Sequence, residues 1–423
     1  MTRSLEPGTV QPAVLLPRRI LVVCTRRIGD VLLVTPLLRS LKSAWPAAGI
    51  DVMVFTGTEA ALEGNPDVDR VLAVGERDTL GGRLRTMART WRRYDLACSA
   101  QTSDRTTLYA WAAGRRAVGL LDPRKAPAWK RALLDAWQPF DNLDVHTVVA
   151  GLSLCDALEI PKRFDVVPPA ADESATAIGA QLGLDLLAGE SFAVLHVSPK
   201  FVYKSWTLEG WRTLAGWLSE RGIKPVVSAG PGGDERAIAA AVSAHLGGQA
   251  IDASGRLSLP QLVTLVGAAT VYVGTDTAVT HAAAATGVAT IVLFGPSNPV
   301  KWGPWPRGCS VVPSPWKRVG SQREGNVTLV QGRGDCVPCL LEGCDRHVNS
   351  LSRCLQDMRA DDVIAAVEEA LGRSDQCTRI AWQSETGDGK AGGEGEIGHL
   401  VEPTNAASAR FRRHPQGRGP ASG

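Results

Sequence analysis

Short apolar runs alternate with stretches of helical period, and the alternation is played out twice along the chain. The first half predicts strands at Arg19–Cys24, Ile50–Phe55, Arg70–Val74, Leu96–Ser99 and Ala117–Gly119. Helical stretches at Val31–Ala44, Leu80–Arg92 and Thr106–Ala113 lie between them. The second half repeats the grammar with strands at Phe192–His196, Pro225–Ser228, Ala250–Asp252, Thr270–Gly274 and Ala289–Phe294. Its helices fit Leu208–Arg221, Asp234–His245, Pro260–Gly267 and Thr277–Thr286. Apolar runs of this length, separated by helices, predict parallel sheets joined by right-handed crossovers. Two such sets predict an α/β chain of two Rossmann-like domains facing one another.

The expected domains are 18–165 and 166–373, joined within a Pro-rich stretch that includes "PKRFDVVPPAADES". Trp129, Lys130 and Arg131, within the less periodic 120–145, fit either a flap or a short helix. The first 17 residues and the Gly-, Ser- and charge-rich segment 374–423 lack periodicity and are expected to be disordered. At 423 residues the chain is too long for one ordinary core, which agrees with two domains.

Charge changes the picture more than composition does. Residues 1–170 carry 23 Lys/Arg against 18 Asp/Glu, a net of +5, and the remainder is −2. A basic first half suits an acidic partner such as a phosphorylated glycan, an anionic lipid surface or nucleic acid, or else presents a solvated basic face. No apolar stretch approaches the roughly 20 residues needed to span a bilayer. An odd count of nine cysteines, without a signal-peptide pattern, points to a reducing, cytoplasmic compartment.

Ligands of open parallel sheets bind beyond the carboxyl ends of the strands. The second half is the richer in chemistry there. "GTDTAVTH" places Gly274, Thr275, Asp276 and Thr277 at a helix start, whose exposed amides favour a diphosphate. Asp276 would repel phosphate, so its expected work is capping that helix or fixing neighbouring amides. His281, one turn past Thr277, is either a packed histidine or a ligand contact. "SPKFVYKSW" offers Lys200 and Lys204 to neutralise a departing nucleoside diphosphate. "AGPGGDE" is a tight turn followed by Asp234 and Glu235, candidates for ribose hydroxyls.

In the first half, "TRRIGD" follows the first strand, where a dehydrogenase would carry G-x-G-x-x-G. That motif is missing, and the Rossmann oxidoreductase reading fails. Gly29 lets backbone pass close to a ligand, and Arg26 and Arg27 suit anionic groups on donor or acceptor. Asp30 is either a helix cap or a general base for an acceptor hydroxyl.

The stretches "RRILVVCTRRIGDVLLVTPLLRSLKSAWP", "NPDVDRVLAV", "HVSPKFVYKSWTLEGWRTLA", "SAGPGGDERAI" and "VGTDTAVTHAAAATGVATIVLFGPSNPVKWGPW" together resemble glycosyltransferase family 9. These are the ADP-heptose:lipopolysaccharide heptosyltransferases, and the resemblance covers roughly residues 18–373. It implies a GT-B fold and inverting transfer of heptose to a lipopolysaccharide core without a required metal. By position it implies Asp30 as the catalytic base and Lys204 as a contact to the donor phosphates. It also implies Asp276, Thr277 and His281 as the donor-binding element, with Glu235 near the nucleoside. The implied partners are ADP-heptose, a lipid-linked core oligosaccharide and the cytoplasmic face of the inner membrane. Another nucleotide sugar on the same fold, or a non-catalytic nucleotide-binding protein, are the alternatives. The chain departs from the family's pattern at Arg26–Arg27–Ile28 and in its Thr-poor "SPKFVYKSW" loop.

Three segments stand outside this picture. "DVD" at Asp67–Asp69 looks like a metal-binding DxD, but its place before a strand reads better as a turn. The stretch 80–93 carries Arg83, Arg85, Arg89, Arg92 and Arg93, fitting an anionic membrane or a solvated face and not a nucleic-acid code. Cys336, Cys339, Cys344 and Cys354 supply four soft ligands for a structural zinc, or remain reduced thiols.

Overall fold

A computed structural model of the chain describes residues 16–386. The first sheet comprises β1 (Arg19–Cys24), β2 (Gly49–Phe55), β3 (Arg70–Val74), β4 (Tyr94–Ser99), β5 (Gly114–Leu121) and β6 (Ala136–Pro139). Its order is β3-β2-β1-β4-β5-β6, with every pair parallel. The second sheet comprises β7 (Phe192–Ser198), β8 (Lys224–Ala229), β9 (Ile251–Asp252), β10 (Val271–Thr275), β11 (Thr290–Phe294), β12 (Gln322–Glu324) and β13 (Val327–Gln331). It runs β12-β13-β11-β10-β7-β8-β9, and only the β12–β13 hairpin is antiparallel.

Burial explains why the central strands read as unbroken apolar runs. Ile20, Leu21, Val22 and Val23 of β1 are all fully buried, because helices cover both faces of the sheet. Alternate residues feed separate clusters: Ile20 and Val22 pack beneath the helix Thr35–Ala44, and Leu21 and Val23 beneath Asp104–Ala113. Each such side chain contributes roughly 1.5–3 kcal/mol on burial. Crossover helices begin on capping side chains, including Thr207 and Thr277, and end at left-handed glycines such as Gly183 and Gly287.

Several expected elements take a different form. The helix expected over Val31–Ala44 is two, Ile28–Leu32 and Thr35–Ala44, broken at Leu33–Val34. Residues 120–145 hold a short helix, Ala128–Leu133, and the edge strand β6. Lys130 there is no flap residue: its ammonium is buried on Thr102 O and Asp104, both at 2.6 Å. The last helix runs past the expected boundary, from Ala360 to Thr386. The rest of the expected tail, from residue 387, and residues 1–15 lie outside the described residues.

The two sheets meet along a polar seam. His146, fully buried, caps the helix Thr147–Ala157 by accepting from Val148 N through Nδ1. Its Nε2 therefore carries the proton and donates to Gly303 O at 2.8 Å, in the other half of the chain. Asn298 Nδ2 donates to Leu143 O, and Thr147 Oγ1 to Lys301 O. The crossing segment is held as well, with Val167 N bonded to Thr35 Oγ1 and Ala171 N to Thr264 Oγ1.

Candidate active site

The carboxyl end of β1 and the carboxyl end of β10 face each other. The helix Ile28–Leu32 packs on the helix Ala278–Thr286 so closely that a Cβ on Gly29 would sit 3.7 Å from the His281 ring. Arg27 crosses the same gap, with its guanidinium 4.4 Å above the Phe201 ring. It is stacked on the second half's loop, with its N–H donors left open to an anionic group.

On the second side Lys204, at the end of the turn Val202–Lys204, donates to Asp276 Oδ2 at 2.6 Å and Asp276 O at 3.3 Å. Burial works to raise the Asp276 carboxyl, but the Lys204 ammonium, with His281 beside it, outweighs that and holds it well below the usual carboxylate range. Asp276 is thus a carboxylate that keeps Lys204 at the strand end. It is not the helix cap: Thr277 fills that place, accepting from Thr280 N. Two buried polar atoms here have no partner, Thr275 Oγ1 and His281 Nδ1. Such atoms cost of order 1–3 kcal/mol unless a ligand or water meets them.

Asp30 differs in each respect. It is the third residue of its helix, whose cap position is Arg27, and its carboxylate reaches back to the Arg27 backbone N–H, so capping remains part of its work. Its nearest cation is Arg26, with Nε 3.9 Å from Oδ1. Burial raises its pKa above the carboxylate norm, and Arg26, Arg27 and His281 offset that only in part. His281 stands between the two aspartates, its Nε2 3.8 Å from Asp276 Oδ1 and its ring near enough to Asp30 to act on its carboxyl. A carboxylate with raised proton affinity, on the far side of His281 from a lysine fixed at a helix start, can take a proton while a phosphate leaves.

The pocket at Asp30 is lined also by Cys24, Arg26, Gln101, Asn142 and Lys301. Lys301 is the residue that sequence reasoning missed. It is 1% exposed, bonds Asp141 O at 3.1 Å, and lies 4.2 Å from the Phe140 ring centre. No carboxylate among the described residues comes within ion-pair distance of it. Burial lowers its pKa to about 8. A larger cavity, about 390 Å³ and lined by residues such as Arg39, Trp305 and Arg307, contains none of these groups.

Other expected residues lie elsewhere or have structural work. Lys200 is exposed. Glu235 folds back onto its own turn and accepts from Gly232 N at 2.8 Å, closing the start of the helix Gly233–His245. A Cβ on Gly274 would fall 2.4 Å from Tyr272 Oη, so that glycine is explained by packing. The "DVD" stretch is a turn: Asp67 meets Arg39, and Asp69 accepts from Ile50 N. Among the described residues no three His, Cys, Asp or Glu side chains form a metal-holding group. Cys336 and Cys344 are exposed, and Cys354 is buried in the second core. Burial, and then Cys339, Cys336 and Cys344 nearby, push the Cys354 thiol up to about 11, so it stays protonated.

Solved structures share this architecture. An Escherichia coli ADP-heptose lipopolysaccharide heptosyltransferase II superposes with a TM-score of 0.63, at 19% identity, over 84% of this chain and 99% of that one. An E. coli heptosyltransferase solved with ADP gives 0.60 at 19% identity, over 83% of this chain and 99% of that one. The fold and the facing strand ends define a GT-B glycosyltransferase. Among curated sequences, lipopolysaccharide heptosyltransferase 3 of E. coli strain K12 is 25% identical over 81% of this chain and 95% of its own length. Lipopolysaccharide heptosyltransferase 1 of Pseudomonas aeruginosa is 28% identical over 81% and 92%. The model of glycosyltransferase family 9 (heptosyltransferase) matches residues 85–326, more than half of the chain. The chain belongs to glycosyltransferase family 9.

Proposed function

We propose that the enzyme transfers heptose from ADP-heptose to a lipopolysaccharide core acceptor at the cytoplasmic face of the inner membrane, inverting the anomeric centre and requiring no metal. The observation that carries this reading is the meeting of an underpaired, partly buried Asp30 with the Lys204–Asp276 pair across His281. The donor's diphosphate sits at Lys204 and the amides of Thr275–Thr277. The acceptor enters the pocket of Arg26, Asp30 and Lys301. Asp30 takes the proton of the acceptor hydroxyl as its oxygen bonds the anomeric carbon. The bond from that carbon to the diphosphate breaks on the opposite face, and Lys204 meets the charge that leaves with ADP. The fixed cation does the electrostatic work that a metal does in other transferases. Glu235 has a cap to maintain, so ribose recognition is assigned to the glycine turn beside it.

Calorimetry with ADP, UDP and GDP, with and without EDTA, followed by a transfer assay with ADP-heptose, tests the reading. ADP binding unaffected by EDTA, with turnover of ADP-heptose, is expected. Preference for UDP or GDP overturns the donor assignment, and binding with no transfer to any core acceptor overturns the enzymatic one.

A further inference from the structure

The helix Leu80–Thr90 leaves an apolar stripe in solvent beside the side on which it is seated. Its seat on the first domain is made by Thr90, which is buried, and Met87, which packs against the Tyr94–Tyr109 cluster. Its most apolar residues point outward: Leu80 is 73% exposed, Leu84 55%, and Trp91, which ends the helix, 50%. At about 100° per residue, positions 80, 84, 88 and 91 fall on one stripe. The stripe is therefore continuous, and Trp91 is held upright in it by edge contact with Trp111 (5.4 Å between centroids) and by Arg92, which is anchored on Gly114 O.

Arginines border the stripe. Arg85 and Arg89 occupy the adjoining arc of the helix, and Arg77 and Arg93 flank its two ends. All four are exposed, and none makes an ion pair or side-chain hydrogen bond among the described residues. Segment 76–93 holds six arginines against Glu76 and Asp78, a net of +4. Asp78 is partly withdrawn, accepting from Gly75 N. An apolar stripe of two leucines and a tryptophan, edged by unpaired arginines, is the amphipathic pattern of a helix lying in a lipid interface. The charge selects among occupants. A second copy of the chain would bring its own arginines against these, whereas anionic headgroups complement them. No helix among the described residues is long and apolar enough to cross a membrane.

We propose that the face formed by Leu80, Leu84, Trp91, Arg85 and Arg89 docks the enzyme on an anionic phospholipid surface. This deepens the proposed work on a lipid-linked acceptor and rests on that reading for its purpose, though its test needs neither donor nor acceptor. The full chain is sedimented with vesicles of phosphatidylethanolamine and phosphatidylglycerol (7:3) or of phosphatidylcholine alone. At least tenfold tighter binding to the anionic vesicles is expected, weakening as salt is raised. Arg85→Glu/Arg89→Glu should abolish that preference, and Leu84→Ser should reduce the binding that persists at high salt. ADP calorimetry and circular dichroism on each variant check that site and fold are unaltered. Equal binding to both vesicles, a double variant that binds like the parent, or a dimer in solution dissolved by Leu84→Ser would overturn the proposal. Failure of ADP binding in the parent would instead sink the functional reading and leave the vesicle result standing.

Discussion

Asp30 and Asp276 make an instructive pair. Both lie just beyond a central parallel strand, both approach the same histidine, and both are largely withdrawn from water. The sheet geometry treats them alike, and their neighbours do not. Asp276 has an ammonium at 2.6 Å and is held ionised. Asp30 has a guanidinium only at 3.9 Å, and burial leaves it with a raised proton affinity. One carboxylate is an anchor and the other is poised to accept a proton. The distance to a cation, more than position in the fold, separates the two roles.

The comparison breaks most readily at Asp30. Asp30→Asn should lower turnover of ADP-heptose by roughly 10²–10⁴-fold, the usual worth of a general base, with ADP affinity within about twofold of the parent. Steady-state kinetics and calorimetry on one preparation read both. At the other aspartate, Lys204→Met leaves a buried carboxylate without its partner, at a cost of about 3 kcal/mol in urea unfolding and at least tenfold in ADP affinity. The double variant Lys204→Met/Asp276→Leu sharpens the point: stability should largely return, and ADP binding should not.

A pH test uses two buried histidines to which the mechanism gives no part. Burial pushes His146 down to about 3 and His196 down to about 4, against about 6.5 in an unfolded chain. Above pH 6.5 neither state holds the proton and stability is unaffected. As pH falls from 6.5 toward 4, the unfolded chain takes up protons that the folded chain refuses. Stability is then lost by about 1.4 kcal/mol per pH unit for each histidine. Urea midpoints at pH 7 and pH 5 should differ less for His196→Gln than for the parent. The smallest effect is expected at Lys301→Met. Removing a buried ammonium without a counter-ion should change stability little, and should show chiefly as a several-fold rise in KM for the acceptor.

The sequence made the frame legible and left the electrostatics hidden. β1 and β3 have the bounds that their apolar runs predict, because strands buried on both faces carry a strong local signal. β6, β12 and β13 escaped it. β6 is four residues long, ends in proline and lies at a sheet edge, where little periodicity is required. The motifs pointed to Asp30, Lys204, Asp276 and His281, which the fold brings to one cleft. Lys301 lies in the "GPSNPVKWGPW" stretch that was already suspect, but its burial depends on Phe140 and Asp141, about 160 positions away. Glu235 and Gly274 show the reverse. Their motif positions suggested ligand contact, and their nearest atoms supply a cap and a packing contact.

The pH dependence of kcat/KM, with acceptor varied at saturating ADP-heptose, tests the central claim most directly. The account predicts an acid limb at a pKa above the ordinary carboxylate value of about 4, because Asp30 must be ionised to act and burial raises its pKa. Activity is then lost as pH falls through that value, and the residual activity of Asp30→Asn should lack the limb. A limb at the ordinary carboxylate value, or one that survives unchanged in Asp30→Asn, would contradict it.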